Sequence, residues 1–374
     1  MASELMGLGT HDLRDTSPVL NFGGVNTGEI SVADFGEEEA YAEVARVLEI
    51  HNSLVAEMVD ELCQVTTDYQ AVYGGVPRIR MVRGNEYSNP LVSKVRTGTT
   101  MGFPLEKSEA AVQWTTRALE EMSLAKFQLT VRAILLGDVA DFRTTLMNAI
   151  FNPTNDEDYE DYMVDYRSIP IYAFLNGDGK PVPAAIDGTL FDPDTHNHYM
   201  YATELDRTAV RSALTNLREH GTSGRVRIFI SNAFVQAFFN FASDGSFYAF
   251  PQANVVDPNR AYAVGETLDF ENQYNRNIGY FDGALVTVRS WVPQKYLVVA
   301  DLGQPGDKPL AYRVMPGGRN AELGLRYEHR TYPLHAEVFD RYYGIAPWQR
   351  HKVVVLYIDS AATEYVAPTS YTIF

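Results

Sequence analysis

The stretch from Thr67 to Phe151 constrains this chain more than any other. Tyr69 to Pro104 carries Q-A-V-Y, then V-P-R-I-R-M-V-R, then P-L-V-S-K-V-R-T-G-T-T-M-G-F. In places apolar and basic residues alternate at period two, as in a ribbon with one greasy and one charged side. Gly74-Gly75 and Gly84-Asn85 through Asn89-Pro90 punctuate it as turns. A long helical pattern with no early breaker follows. A two-stranded ribbon alone is marginal in water. Something else must cover it, and the reading here is that the cover is another copy of the same chain.

The chain has 374 residues, enough for two or three cores, and its hydrophobic share of 45% is that of a folded protein. The net charge of -17 argues against a protein whose main task is gripping DNA or RNA, because phosphate binding needs a basic surface. It suits a soluble protein at high concentration. The single cysteine, Cys63, permits no intrachain disulfide and reads as a buried small hydrophobe in a helical pattern, folded in a reducing compartment. Met1 to Asp15 lacks the apolar core of a signal peptide, and no run of about eighteen apolar residues predicts a membrane span.

Residues 1–35 read as an extended arm ordered by contact, because Val19-Leu20-Asn21-Phe22 is too apolar for a solvated tail. Glu37 to Val65 has no Gly or Pro and predicts one amphipathic helix, with Asp34 as a cap and three glutamates in the first turn. Glu106 to Leu136 predicts a second long helix, broken or kinked at Gly137-Asp138, resumed to Phe151 and ended by Asn152-Pro153. At about thirty residues such a helix spans roughly 45 Å, the length of a spine on which other elements are laid. Beyond it, strands are expected at Ile169–Phe174, Tyr199–Ala202, Val226–Ile230, Val286–Trp291, Tyr296–Leu302, Leu310–Val314, Gly324–Arg330, His335–Tyr343 and Val353–Ile358, the last central and buried. Helices are expected at Asp206–His220 and from a Ser231 cap to about Phe241. Strands alternate with helices in places and run in series elsewhere, so the class is α+β.

The chain carries no phosphate-binding, dinucleotide-binding, nucleophile-elbow or H-E-x-x-H motif. Its best chemical candidate is Asp192-Pro193-Asp194-Thr195-His196-Asn197-His198. On a strand, His196 and His198 would share a face at a spacing suited to one metal, with further ligands from Asp192, Asp194 or a distant residue such as His220. The preferred reading is a structural turn into a strand, its imidazoles bonded to local backbone. The acidic run from Asn155 to Asp165 lacks the glycine and glutamate of a calcium loop and reads as a solvated loop. Glu120-Glu121 and Asp138/Asp141 read as solvated helix faces. The late aromatics Tyr332, Phe339, Tyr342, Tyr343 and Trp348 suit a buried or interface sheet better than base stacking.

This order of arm, long helix, extended ribbon, spine helix, mixed domain and returning long strands resembles the major capsid proteins of tailed bacteriophages, the Hong Kong 97-type fold. Tyr69–Pro104 looks like that family's extended loop and Glu106–Phe151 like its spine. His196–Gly221 looks like the strand-to-helix entry of the axial domain. Gly279–Gly283 through Val292-Pro293 resembles its later axial strands, Tyr327–Tyr343 the long peripheral strands and His351–Ile358 the return. The resemblance implies an arm (1–35), an N-terminal helix (36–66), an extended loop (67–105), a peripheral domain (106–165 and 318–346) and an axial domain (166–317 and 347–374). It further implies a non-enzymatic protein without cofactor or bound metal, assembling with itself as hexamers and pentamers of an icosahedral shell. That shell would enclose double-stranded DNA without reading its sequence. The chain would be assembled in the host cytoplasm and located in the virion, with separate scaffolding, portal and decoration proteins as further partners. About 35 residues precede the first helix, so scaffolding is expected from a separate protein or not at all. Lys94 lies in the ribbon, but no acidic catalyst or asparagine partner for an isopeptide bond can be matched. The alternatives are an encapsulin-type compartment of the same fold and a metal-dependent hydrolase using His196 and His198.

Within the ribbon, Arg78, Arg80, Arg83, Lys94 and Arg96 meet only Glu86 as a counter-charge, so the rest of the chain is more acidic than its total. A basic ribbon on an acidic body complements its own neighbour, and head-to-tail repetition of such a contact closes rings. These five residues are the expected intersubunit contact.

Overall fold

The computed structural model describes residues 20–23, 26–73, 83, 98–162, 165–222, 224–242, 245–250, 276–303, 306–317, 323–330 and 335–369. The first long helix runs from Glu37 to Leu62. It is entered through a single helical turn, Val32–Phe35, where the Ser31 hydroxyl, not Asp34, caps by accepting from the Asp34 N–H. The helix stops three residues short of Val65 because Cys63–Thr66 becomes a strand, paired in parallel with Leu310–Val314. Cys63 is buried there, at the start of that strand. Val44, Val47 and Leu48 face one core and Val55, Val59 and Leu62 another, which is the stripe expected of an amphipathic helix. The arm is ordered by contact where it is described. Leu20 and Phe22 are buried against the first helix and the spine, and Gln128 Nε2 donates to the Leu20 carbonyl at 3.0 Å.

Glu106–Trp114, expected as helix, is a strand. All nine residues pair antiparallel with His335–Tyr343 of the long strand His335–Pro347. Lysine, glutamate, alanine and glutamine at these positions are good helix formers, but propensity is worth only tenths of a kcal/mol per residue, and a continuous ladder with a distant partner outweighs it. Two capping hydroxyls mark where helix does begin. Thr115 caps Thr116–Glu120, and Ser123 caps the spine helix Leu124–Phe151. At 28 residues the spine is about 42 Å long. It passes through Gly137-Asp138 without a break. Gly137 is exposed, and the Asp138 side chain is held from both sides by His51 and Arg341.

Two larger sheets pack around these helices. In the five-stranded sheet the order is Cys63–Thr66, Leu310–Val314, His335–Pro347, Arg326–Arg330, with Glu106–Trp114 also on the long strand. The seven-stranded sheet runs Tyr199–Ala202, Val353–Ile358, Tyr296–Asp301, Val226–Ile230, Ala284–Val288, Arg276–Phe281, Phe247–Ala249. Val353–Ile358 is flanked on both sides and its first four residues are buried, as its unbroken apolar run predicts. The helix Arg207–Glu219, capped by Asp206, lays Val210, Leu214 and Leu217 on this sheet. The segment after Ser231 begins as a 3-10 turn, Asn232–Phe234, and becomes helix at Val235–Phe241.

Ile169–Phe174 is irregular, not a strand. Two of its carbonyl groups are taken by a buried side chain, Arg350 Nε donating to Ala173 O at 2.6 Å and Nη2 to Phe174 O at 3.3 Å, and two by backbone, Gly102 N–H donating to Pro170 O and Asp156 N–H to Ile171 O. The acidic run is solvated only in part. Glu157, Asp158 and Glu160 are exposed, whereas Asp161 is fully buried in an ion pair with the equally buried Arg313. Phe339 and Tyr343 are buried in the long strand, and Trp348 stacks on Phe103 at 5.0 Å. Among the described residues no helix is long and apolar enough to cross a membrane.

Candidate functional site

The root of the ribbon is a short antiparallel pair, Gln70–Tyr73 with Thr99–Gly102, in the register Gln70↔Gly102 to Tyr73↔Thr99. Alternation splits its faces. Tyr73 and Met101 are buried inward, and Val72 is 65% exposed outward. The inner face is fixed to the body by named contacts. The Gly102 N–H donates to Pro170 O at 2.6 Å, Phe103 N–H to Tyr69 O at 2.9 Å, and Tyr73 Oη lies 3.2 Å from His351 Nδ1. The base of the hairpin is therefore anchored to the body, and its outer face carries the exposed Gln70, Val72 and Thr100. Of the five expected contact residues, Arg83 is exposed. Arg78, Arg80, Lys94 and Arg96 lie outside the described residues, as do residues 1–19 of the arm and Tyr332.

Behind this root lies a second feature. His196 and His198, at the entry to the strand Tyr199–Ala202, meet His220 at the end of the helix Arg207–Glu219. The three Nε2 atoms stand 3.2 Å (His196–His198), 2.9 Å (His196–His220) and 3.3 Å (His198–His220) apart. The turn expected before them is present: Thr195 and His196 N–H groups both donate to Asp192 O. Its carboxylates stay out of the cluster, because Asp192 accepts from the Asp194 N–H and the Thr195 hydroxyl. The imidazoles, however, do not bond to local backbone as expected. His198 Nδ1 lies 2.9 Å from Val353 O, and His220 Nδ1 lies 3.0 Å from Pro183 O. Phe191 packs against the rings of His196 and His220. His351, which touches the ribbon root, lies 5.6 Å from the His220 ring. His220 was legible as a distant candidate; the two carbonyl partners carry no side-chain signal.

Burial decides the protonation of the cluster. It holds His196 and, well below the usual histidine value, His198, where the neighbouring His220 adds to the effect. Burial and His196 bring His220 to about 4, and burial followed by His220 and Lys352 bring His351 to about 3. The imidazoles are thus neutral at pH 7, with ring nitrogens able to act as ligands. Among the described residues they form a trio of histidines, cysteines or acids whose ligand atoms share one small volume.

No protein-family model matches the chain, and no curated protein matches it. Among solved structures, one of Mycobacterium phage Patience aligns over 90% of this chain and 91% of that one, at 18% identity and a TM-score of 0.63. Looser likenesses are to the holo-SrpI encapsulin complex of Synechococcus elongatus (11% identity, 84% and 90% of the two chains, TM-score 0.44) and to the capsid of a native GTA particle (11%, 80% and 89%, TM-score 0.43). The chain shares its fold with that structure of Mycobacterium phage Patience.

Proposed function

We propose that this chain is the major capsid protein of a tailed bacteriophage. Its copies join as hexamers and pentamers into a closed icosahedral shell around double-stranded DNA, and its place is the virion. The observation that carries the reading is the likeness to the phage structure over nine-tenths of both chains, with the long helix, long strand and hairpin root all present. In this reading the layout is that of the Hong Kong 97-type capsomer. Residues 106–165 and 318–346 form the peripheral domain, and residues 166–317 and 347–374 form the axial domain. Separate scaffolding, portal and decoration proteins complete the particle.

The extended loop, residues 67–105, lies over the adjacent subunit. Its five basic residues meet a body whose charge is strongly negative, and complementary potentials set the register of neighbours. The anchored root supports this use, since a hairpin fixed at its base presents its far end at a defined angle. The same acidic balance lets DNA be packed and released without sticking to the wall, so free subunits bind DNA weakly even at low salt.

Reversing Arg78, Arg80 and Arg83 to glutamate tests the contact. The triple variant is expected to fold, by circular dichroism, and to form no shells. Normal shells from it would overturn the loop's role. Nucleic acid inside purified wild-type particles supports the viral shell, and particles carrying only protein cargo would favour an encapsulin-type compartment.

A further inference from the structure

We propose that His196, His198 and His220 form a binding site for a single divalent transition metal, zinc by preference, which ties the entry of the Tyr199–Ala202 strand to the end of the Arg207–Glu219 helix. The three nitrogens form a triangle with sides of 2.9, 3.2 and 3.3 Å. Ligands about 2.0–2.1 Å from a tetrahedral zinc stand roughly 3.3–3.4 Å from one another. Two sides already match, and the third opens by less than about half an ångström.

The proton inventory supports the metal over a hydrogen-bonded cluster. Val353 O and Pro183 O only accept, so Nδ1 of His198 and of His220 must each carry the hydrogen. A neutral imidazole has one N–H, so both Nε2 atoms present bare lone pairs to each other. His196 can bring at most one proton to the centre, and one N–H serves one of the three contacts. Two lone pairs at 3.3 Å repel, and His198 is fully buried, where an unpaired polar contact is costly. A cation at the centre satisfies all three nitrogens at once.

The surroundings are those of a metal site. Histidine ligands usually donate their other N–H to a carbonyl or carboxylate, which fixes the ring and its tautomer. Here two of three do so, to carbonyls fixed by the fold. His198 is further held by its backbone, its N–H donating to Leu175 O at 2.7 Å and its carbonyl accepting from the Val355 N–H at 2.9 Å. Phe191 forms an apolar wall on the other side. An open groove of about 550 Å³, lined in part by His196 and Glu219, runs beside the cluster. Neutral imidazole donors suit zinc, copper, iron and nickel alike, and the near-tetrahedral spacing of the nitrogens is what favours zinc.

The full chain, stripped with EDTA and then dialysed against zinc, tests the site by elemental analysis. About one zinc per chain is expected, with a rise in melting temperature on loading. His196→Ala, at a half-buried position, and His220→Gln are expected to stay folded, lose the bound zinc and lose the thermal shift. Cobalt provides a readout that needs no variant: wild-type protein should give the intense visible bands of a tetrahedral site. Far less than one zinc on folded wild-type protein in excess metal would overturn the proposal. So would a full equivalent retained by both variants, or a weak, water-like cobalt spectrum.

Discussion

Asp138 Oδ1 lies 3.1 Å from Arg341 Nε in the seam between the spine helix and the long strand. Its other oxygen lies 2.9 Å from His51 Nε2, on the first long helix, so one carboxylate joins three elements. Both Asp138 and Arg341 are buried, and the guanidinium also lies 4.0 Å over the Tyr343 ring. Removing one partner of such a pair leaves a buried charge without its counter-ion. Arg341→Met is therefore expected to cost about 3–5 kcal/mol in urea unfolding of unassembled subunits. A loss under about 1 kcal/mol would contradict this account of the seam.

Gly137, beside that aspartate, has helical backbone and open space where a Cβ would sit. Glycine in a helix interior carries an entropic cost that alanine does not. Gly137→Ala is expected to raise stability by about 0.5–1 kcal/mol in the same measurement. A destabilised variant would mean that the helix bends there in solution.

Gly344 sits where the long strand crosses the base of the ribbon, and an added Cβ would overlap the Pro104 carbonyl oxygen. Backbone on that side cannot rotate away as a side chain could. Gly344→Ala is expected to cost roughly 1–3 kcal/mol and to loosen the ribbon root, read as faster hydrogen exchange at Gly102 and Phe103. Unchanged exchange at those amides would show that the crossing does not hold the ribbon.

Glu337 sets a pH dependence. Burial holds its carboxyl above the usual range, against the opposing pull of Tyr327, His329 and Tyr41. A carboxyl raised in the folded state contributes most below its unfolded value and loses that contribution as pH rises through its folded value. Glu337→Gln, which stays neutral, is therefore expected to melt above wild type at pH 7, with the difference closing towards about pH 4. A difference that does not vary with pH would contradict it.

How far these features were legible depends on how local their causes are. The helix Glu37–Leu62 follows from an apolar stripe and an acidic first turn, the helix Arg207–Glu219 from an apolar stripe and the Asp206 cap, and the ribbon root from alternation between turn signals. Glu106–Trp114 reads as helix because its pairing partner begins more than two hundred residues later, and nothing nearby announces it. The hydroxyls of Thr115 and Ser123 were the available signal that helix starts only there. Ile169–Phe174 reads as strand for a related reason, since the groups that claim its carbonyls, Arg350 for Ala173 and Phe174 and Gly102 for Pro170, lie far away in sequence. In the histidine cluster the H-x-H spacing was visible. The convergence of His220 depends on where a helix ends, and the carbonyl partners Pro183 and Val353 depend on the fold.

The account stands on one claim, that copies of this chain close into a shell. The mass of the purified wild-type protein in solution, with electron microscopy of the same sample, tests it most directly. Closed particles in the megadalton range, built from hexamers and pentamers, are predicted. A stable monomer or dimer at every concentration, under conditions that keep the chain folded, would contradict it.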